Sequence, residues 1–401
     1  MSRLIVVGGG IGGLAIALSA AASGNDVVVL ERAREFAEIG AGIQLAPNGL
    51  HALGLLGVGE KIERIGVQVD SLRLFDATVD RLINAMSLGA DYQHRFDSPY
   101  LVVHRAELHR ILVDACASDP RIELRSRSEV FGYQQDSGGV RALLADGSSV
   151  DGDGLIGADG INSSIRRALL DDGEPRVAGI TVYRTTVPID QVDESLQSNS
   201  VTWWTGPGCH LVTYPIAGGS LLNLAASRTD GVTQAFSGVE VSEARVLREL
   251  APLRGTARSL LELGREWRSW SLVDRDPVRQ WSDGRVVLLG DAAHPMLHYA
   301  AQGASQALED AVVLGALIGA DPDRLPGRFT RYVEARRDRT ADVTLAARDS
   351  IGIWHAAGDA AIERNEKLGA MRDSDLHDEL AWMHGDTDFG LVAVTSAVGA
   401  R

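Results

Sequence analysis

The first 31 residues carry the pattern that most constrains how this chain can fold. An apolar run over residues 4–7 is followed by a glycine-rich turn, a run of small and apolar residues over 14–22, and a second apolar run that ends at Glu31. This order predicts a strand, a tight turn, a helix and a second strand. An acidic residue about 20 positions after the glycines is typical of dinucleotide-binding βαβ units. The turn matches GxGxxG at three glycines: Gly8, Gly10 and Gly13.

These residue types suit the adenosine end of a dinucleotide. Glycines allow the tight turn and let a pyrophosphate approach the N-terminus of the following helix. Glu31 can accept hydrogen bonds from both ribose hydroxyls of an adenosine. Arg32 follows it, and we include it among the predicted cofactor-binding residues. The alternative is a glycine-rich turn before an ordinary helix.

A second glycine-containing turn lies in the C-terminal third of the chain. Four apolar residues over 286–289 predict a buried strand, and Gly303 begins a run of small residues that predicts a helix start. Asp291 would then stand at the carboxyl end of a strand, where its carboxylate can accept hydrogen bonds from sugar-alcohol hydroxyls. Free N–H groups at the helix start can face an electron-rich ring edge. A flavin with its ribityl chain satisfies both demands, and Pro295 is a further predicted contact.

The length and the pattern of the chain predict two intertwined domains. With 401 residues and 45% hydrophobic content, the chain can bury a large core. Alternating β-rich segments lie between about 181 and 270, and a mostly helical region follows residue 302. We predict an α/β fold: a Rossmann-like FAD-binding domain (1–75, 100–180 and 275–345), an interleaved β-sheet substrate domain (76–99 and 181–274) and a C-terminal helical segment (346–401).

Charge and cysteine content exclude several classes of partner. The 39 Lys and Arg against 54 Asp and Glu give a net charge of −15, which repels nucleic acid and anionic lipid. The apolar run over 14–22 is too short to span a bilayer, and no secretion signal is recognisable. Cys116 and Cys209 have no metal-ligand spacing, so we expect neither a zinc site nor a disulfide framework. We therefore expect a cytoplasmic protein without a metal, a nucleic-acid partner or a membrane partner.

Together these motifs resemble the fingerprints of class A FAD-dependent aromatic hydroxylases. The resemblance extends from one end of the chain to the other, and within that family it is greatest to the salicylate and 3-hydroxybenzoate hydroxylase branch. It rests on four segments in the family's order: the first glycine turn with Glu31, His104-Arg105-Ala106-Glu107-Leu108, Gly157-Ala158-Asp159-Gly160, and Gly290-Asp291-Ala292-Ala293-His294-Pro295.

The resemblance implies where one FAD binds. Its adenosine ribose would bind Glu31, its pyrophosphate would face the first glycine turn and Arg105, and its ribityl chain would bind Asp291. Asp159 would serve both FAD and the nicotinamide nucleotide, for which the chain has no second Rossmann fingerprint. A turn aspartate that caps a helix is the ordinary alternative for Asp159.

The resemblance also implies the reaction. NADH or NADPH would reduce FAD, oxygen would add at flavin C4a, and the hydroperoxide would transfer a hydroxyl to a phenolic aromatic acid. The acid would belong to the 3-hydroxybenzoate, salicylate or hydroxynicotinate class. Simple or decarboxylative hydroxylation, and NADH or NADPH, stay open at this point.

Three residues are the predicted catalytic group. A phenolate reacts better than a phenol, so the site needs a base such as histidine within hydrogen-bond reach of the phenol oxygen. His210 and Tyr214 lie four apart on a predicted strand, so both point to one face. His298 follows Asp291 in the loop at the flavin, where related 3-hydroxybenzoate hydroxylases often carry Gln. We expect His210 to be the base, with Tyr214 and His298 orienting the phenol or the carboxylate.

Three other functions remain open from the sequence. A flavin reductase or dehydrogenase would use the same scaffold without oxygen transfer, and a non-catalytic protein could hold FAD or a ligand without turnover. A plain NAD dehydrogenase explains the first 31 residues but gives the Gly290–Pro295 turn no role. The expected partners are a small aromatic substrate and O2. Tail residues such as Trp354 and Trp382 would make a homodimer contact or form a packed helical cap.

Overall fold

The computed structural model describes residues 2–38, 42–385 and 389. Strands and helices alternate through the first half of the chain, and long helices follow the last strand. The strands are β1 (Arg3–Val7), β2 (Asp26–Leu30), β3 (Gly42–Leu45), β4 (Val67–Gln68), β5 (Ser71–Asp76), β6 (Arg81–Ser87), β7 (Leu101–His104), β8 (Ile122–Arg125), β9 (Val130–Gln135), β10 (Val140–Leu144), β11 (Ser149–Gly152), β12 (Gly154–Gly157), β13 (Arg176–Pro188), β14 (Ser200–Gly206), β15 (Cys209–Ile216), β16 (Leu221–Thr229), β17 (Val239–Glu240), β18 (Arg268–Asp274), β19 (Ser282–Asp283) and β20 (Val286–Leu288). The helices are α1 (Ile11–Ala22), α2 (Pro47–Leu55), α3 (Gly59–Ile65), α4 (Ala90–Phe96), α5 (Arg105–Ser118), α6 (Ser164–Leu170), α7 (Glu243–Glu249), α8 (Gly255–Leu263), α9 (Gly303–Ile318), α10 (Leu325–Trp354), α11 (Asp359–Gly369) and α12 (Asp373–His384).

A six-stranded sheet in the order β19-β20-β12-β1-β2-β8 forms the centre of the first structural layer. All its pairs are parallel except β19 with β20. Its central strands are almost continuously apolar because both faces are buried, against helices such as α1 and against the β11-β10-β9 sheet. Helix α1 follows β1 and packs against α9 so closely that a Cβ at Gly315 would lie 1.9 Å from the Ser19 hydroxyl oxygen.

An eight-stranded sheet in the order β17-β18-β13-β16-β15-β14-β5-β6 forms the second layer. It is antiparallel except where β14 pairs with β5. Successive side chains on a strand point to opposite faces. One face packs on α7 and α8 to form a core around Trp267, and the opposite face looks toward the six-stranded sheet. Two smaller sheets, β11-β10-β9 and β3-β7-β4, complete the strands.

Helix α10 joins the two layers. It packs along α9, and its C-terminal residue Trp354 reaches the eight-stranded sheet, where its ring stacks on Trp203 at 5.4 Å. Helices α11 and α12 follow. His384 at the end of α12 contacts the Tyr92 hydroxyl at 2.9 Å, so this helix packs on α4.

The predicted α/β fold is confirmed, including the interleaved β-sheet layer and the helical C-terminal segment. Residues 386–388 and 390–401 of that segment lie outside the described part of the chain. The domain limits stay a prediction. Strand β5 lies almost wholly inside the predicted 1–75 segment, yet it pairs in the eight-stranded sheet, and β13 begins at Arg176, before the predicted limit of 181. No described helix is long and apolar enough to cross a membrane.

Candidate active site

A cavity of about 1900 Å³ lies between the two large sheets. The glycine-rich turns of the six-stranded sheet form one side, and the inner face of the eight-stranded sheet forms the other. A typical small-molecule pocket measures about 300–1,000 Å³. This cavity is therefore large enough for a dinucleotide together with a second, smaller ligand.

The first glycine turn makes a close cradle at one end of this cavity. Gly8 has a φ of +105°, and a Cβ there would lie 2.4 Å from the Ala158 carbonyl oxygen, so only glycine fits. A Cβ at Gly13 would lie 2.0 Å from the Gly8 carbonyl oxygen, which makes Gly13 a packing residue beneath the turn rather than part of the cavity lining. Gly10 faces the cavity and precedes α1, whose start carries no side-chain cap among the described residues.

Glu31 and Arg32 both line the cavity at the end of β2. The Glu31 carboxylate accepts hydrogen bonds from the backbone N–H groups of Gly9, at 2.7 Å, and Ala33, at 2.8 Å. It therefore supports the turn itself, and it keeps lone pairs for a ligand in the cavity that it lines.

Two predicted cofactor residues already have partners within the protein. Arg105 lines the cavity and forms an ion pair with Glu38, with Nη2 and Oε1 3.1 Å apart. Asp159 accepts hydrogen bonds from the Ser163 hydroxyl at 2.5 Å and the Ser164 N–H at 2.8 Å, so it caps the start of α6. Asp159 therefore caps a helix, as the ordinary alternative predicted, and it also lines the cavity, as a cofactor contact requires.

The second glycine turn follows β20 and directs Asp291 into the cavity. The Asp291 side chain is exposed, yet protein surrounds it, because the space it faces is the cavity and not bulk solvent. Burial raises the pKa of the Asp291 carboxyl above its usual range, although His294 and Arg105 oppose this shift. Gly303 begins α9 beside it, and a Cβ there would lie 4.0 Å from Asp291 Oδ1. Pro295 is buried and does not line the cavity, so the structure does not bring it to the predicted flavin site.

A buried ionic network holds this turn on α9. The Asp310 carboxylate accepts hydrogen bonds from the Gly290 N–H at 3.0 Å, His294 Nε2 at 2.5 Å and Arg336 Nε at 2.7 Å. Burial alone would raise the pKa of the Asp310 carboxyl, but His294 and Arg336 outweigh burial and hold that pKa well below its usual range. Arg336 also pairs with Glu309, which in turn accepts a hydrogen bond from Asn48 of α2. The Gly290 turn, α2, α9 and α10 are thus fixed to one another.

The inner face of the eight-stranded sheet carries the predicted catalytic residues. His210 and Tyr214 lie on β15 with Val212 between them, and all three side chains line the cavity. His210 is 1% exposed, and burial lowers its pKa well below the usual range, with contributions from His355 and His298. Burial also raises the pKa of Tyr214 to about 12, although Arg184 and a hydrogen bond with Gln44 oppose it.

His298 reaches the same cavity from the other side. It lies in a short 3-10 turn, His298–Ala300, that follows the Asp291 loop. Its Nε2 is 3.5 Å from the Ser227 hydroxyl, and its ring stacks on Tyr299. Burial lowers the pKa of His298 to about 3, and nearby Arg184 adds to this shift, so the imidazole is neutral. All three predicted catalytic residues therefore line one cavity.

Arg184 is a cavity residue that the sequence did not single out. It lies on β13, opposite Ala225, and β16 separates it from β15. Its guanidinium forms no ion pair within the described residues, its Nε has no hydrogen-bond partner there, and it stands over the Trp270 ring at 5.8 Å. Burial lowers its pKa. The alternation over residues 181–187 predicted the strand, but only the pairing of β13 and β15 with the intervening β16 shows which of its side chains share the cavity with His210.

Comparison with known proteins identifies the family. The FAD binding domain family matches residues 1–347. The chain belongs to this family and is an FAD-dependent aromatic hydroxylase. It is 43% identical over 385 residues to 3-hydroxybenzoate 6-hydroxylase 1 of Aquipseudomonas alcaligenes, covering 96% of this chain and 98% of the relative. It is 30% identical to 6-hydroxynicotinate 3-monooxygenase of Bordetella bronchiseptica, covering 87% and 91%.

A solved structure adds the cofactor. The hydroxylase matches a Klebsiella pneumoniae HpxO variant complexed with FAD with a TM-score of 0.85 and 27% identity, over 96% of this chain and 100% of that one. FAD is therefore its cofactor, with NADH or NADPH as co-substrate. The cavity suits FAD: the Gly8 cradle excludes any Cβ, the start of α1 has uncapped N–H groups, and the Asp291 carboxylate faces the cavity.

Replacing Asp310 tests whether the buried network holds the second glycine turn. In Asp310→Asn the Arg336 guanidinium loses one of its two carboxylate partners, so we expect the free energy of unfolding to fall by about 3–5 kcal/mol, with a loss of bound FAD. Urea unfolding and flavin absorbance measure both. Asp342→Asn, at an exposed position of α10, should stay within about 0.5 kcal/mol of the unaltered hydroxylase. Equal effects from the two substitutions would contradict this role.

Proposed function

We propose that this hydroxylase converts a phenolic aromatic acid of the 3-hydroxybenzoate class into the corresponding dihydroxy acid. One oxygen atom of O2 enters a ring C–H bond, and the other leaves as water. NADH or NADPH supplies two electrons as a hydride, and one proton is consumed from solvent. When bound, FAD accepts that hydride and activates the oxygen.

One observation carries this proposal: a neutral, buried imidazole and a guanidinium with no carboxylate partner among the described residues face the same cavity. His210 and Arg184 lie on strands separated only by β16, and Arg184 is level with Val212, two residues along β15 from His210. Their backbones are thus about 12 Å apart at the usual strand spacing and rise. Small Ala225 lies between Arg184 and Val212, which leaves room above the sheet. An aromatic ring that carries a hydroxyl at one end and a carboxylate at the other matches this pair of groups.

His210 is the proposed base for the phenol. Because its pKa is lowered, its imidazole is neutral at physiological pH and keeps one nitrogen lone pair. Its Nδ1 contacts His355, which leaves Nε2 for the ligand. Accepting the phenolic proton there increases the electron density of the ring. The surrounding apolar and aromatic residues exclude water from the reacting atoms.

Arg184 is the proposed partner of the carboxylate. A guanidinium in a dry cavity without an anion is costly, and a carboxylate offers it two parallel hydrogen bonds. Tyr214, whose raised pKa keeps its hydroxyl protonated, can orient the same ligand.

His298 favours a second candidate substrate, a hydroxypyridine carboxylic acid. Its Nδ1 has no hydrogen-bond partner among the described residues, and a neutral imidazole can donate to a ring nitrogen. The Bordetella relative is named for 6-hydroxynicotinate. Benzoate remains the first choice because the relatives named for 3-hydroxybenzoate are more similar.

The predicted cofactor contacts are also part of the proposal. Glu31 and Arg32 would hold the adenosine end of FAD, and Arg105 would neutralise its pyrophosphate together with the start of α1. Asp291 would bind the ribityl chain. Asp159, which caps α6, would contact both FAD and the nicotinamide nucleotide through the lone pairs that its capping bonds leave free.

Coupled turnover tests the proposed function. With 3-hydroxybenzoate and NADH we expect FAD-dependent NADH oxidation, with a product 16 mass units heavier than the acid, as one inserted oxygen atom requires, and about one product per NADH. His210→Ala should lower kcat by about 10²–10⁴-fold while bound FAD is unchanged. His94→Ala, at an exposed histidine of α4, is the control. Hydrogen peroxide in place of a hydroxylated product, from both 3-hydroxybenzoate and 6-hydroxynicotinate, would refute the proposal.

Arg184→Gln tests the carboxylate contact. Loss of a charge-assisted pair of about 1.5–3 kcal/mol should raise KM for the aromatic acid about 10- to 100-fold. KM for NADH should stay the same. Arg248→Gln is the control, because Arg248 is an exposed arginine of α7 that does not line the cavity. An equal rise in KM from both variants would exclude a specific role for Arg184.

We also propose that the hydroxylase is a homodimer and that it is cytoplasmic. Helices α2 and α12 pack together, and each exposes a large apolar side chain: Leu55 is 62% exposed and Trp382 is 43% exposed. Light scattering should give twice the monomer mass, and Trp382→Glu should shift it to the monomer. A monomer before substitution would contradict the dimer.

A further inference from the structure

A chain of hydrogen bonds runs from His210 to the protein surface. His210 Nδ1 lies 2.8 Å from His355 Nε2, and His355 Nδ1 lies 2.7 Å from the Thr229 hydroxyl oxygen. His210 is 1% exposed and His355 is 9% exposed, whereas Thr229 is an exposed residue at the end of β16. Three side chains therefore connect the deep cavity with solvent, although 145 residues separate the two histidines.

The position of His355 is fixed by its neighbours. It directly follows α10, whose last residue Trp354 stacks on Trp203 of the sheet with an interplanar angle of 13°. The His355 carbonyl oxygen accepts a hydrogen bond from the Gly208 N–H at 3.1 Å. Both contacts fix the backbone at His355 beside the eight-stranded sheet, and the hydrogen bonds to His210 and Thr229 orient the ring.

We propose that His355 and Thr229 form a proton relay that carries the substrate's phenolic proton from His210 to solvent. This inference rests on the proposed role of His210 as the base. His355 does not touch the substrate, so it acts as a positioning and proton-transfer residue.

The need for a relay follows from burial. Burial lowers the pKa of His210 well below its usual range and that of His355 to about 4, so neither imidazole can keep an extra proton near neutral pH. The other groups facing the pair are His298, also neutral, and Tyr299, whose pKa burial raises. A proton taken from the phenol must therefore leave His210. The 3.5 Å contact between His298 and Ser227 offers no second path for it, because that contact does not include His210.

The relay has two hydrogen-bond directions. A neutral imidazole has one N–H and one lone pair. In one direction the His210 Nδ1–H donates to His355 Nε2, the His355 Nδ1–H donates to Thr229, and His210 Nε2 can accept a proton. In the other direction Thr229 donates to His355 Nδ1, His355 Nε2–H donates to His210 Nδ1, and His210 Nε2 carries the proton.

Proton transfer converts the first direction into the second. The phenolic O–H bond breaks and an N–H bond forms at His210 Nε2, while the His210 Nδ1 proton moves to His355 Nε2. The His355 Nδ1 proton moves to Thr229, whose own hydroxyl proton passes to water. One proton enters and one leaves, and no charge remains on either ring. When a proton returns along the same path to the phenolic oxygen before the product leaves, the three side chains regain the first arrangement of hydrogen bonds.

Ionisation of a coloured phenol tests the relay without turnover. The probe is 3-hydroxy-4-nitrobenzoate, whose phenolate absorbs visible light, mixed with the FAD-loaded hydroxylase below the solution pKa of its phenol. A pH indicator in weak buffer records the released proton. In the unaltered hydroxylase, colour and proton release should appear together. In His355→Gln and Thr229→Val both should be at least about tenfold slower, as for loss of a proton-transfer group.

Controls separate a relay from a structural effect. Thr229→Ser keeps the hydroxyl and should restore the rate, and Thr233→Val changes another exposed threonine and should have no effect. Added imidazole should speed His355→Gln but not the unaltered hydroxylase. Unchanged ionisation and proton release in both His355→Gln and Thr229→Val would overturn the relay. Failure of the unaltered hydroxylase to ionise a bound probe would instead overturn the base role of His210.

Discussion

The position of the Gly290 turn, where we predict that the flavin binds, depends on one buried carboxylate. Asp310 accepts hydrogen bonds from the Gly290 N–H, His294 and Arg336, and so ties the second glycine turn to α9 and α10. A buried charge is tolerated only when it is paired and fully hydrogen-bonded, which makes the geometry of this network specific. Because the turn is fixed, Asp291 and His298, which follow on the same loop, are fixed as well. The order of the residues on that loop thus places the predicted ribityl contact and the substrate cavity side by side.

The facing sheet supplies the complementary half of the site. Its inner face carries apolar and aromatic side chains together with polar ones, among them a neutral imidazole at His210, a protonated hydroxyl at Tyr214, the guanidinium of Arg184 and the buried amide of Asn223. Each group has lost solvent, so each interacts strongly with a ligand of matching charge. The proposed orientation of an aromatic acid follows from that arrangement. The path from His210 through His355 to Thr229 would give the buried base an exit for the proton.

The sequence predicted the parts of this arrangement that are local. Periodicity and glycine spacing gave the βαβ unit, the turn at Gly290 and the strand that carries His210, because these depend on neighbouring residues. The family resemblance supplied the cofactor, and the comparisons confirmed it. Contacts between distant segments could not be predicted in this way. Arg184 lines the same cavity as His210 because of the register of the strands between them. The contact between His210 and His355 depends on where α10 ends. Pro295, expected at the flavin, is buried away from the cavity because the turn directs Asp291 inward instead.

In the proposed complex, the cavity orients an aromatic acid with its hydroxyl at His210 and its carboxylate at Arg184. A crystal structure of the hydroxylase with FAD and 3-hydroxybenzoate tests this most directly. We expect the phenol oxygen within hydrogen-bond distance of His210 Nε2 and the carboxylate paired with the Arg184 guanidinium. A ligand bound in the reverse orientation, or one whose hydroxyl contacts neither ring nitrogen of His210, would contradict it.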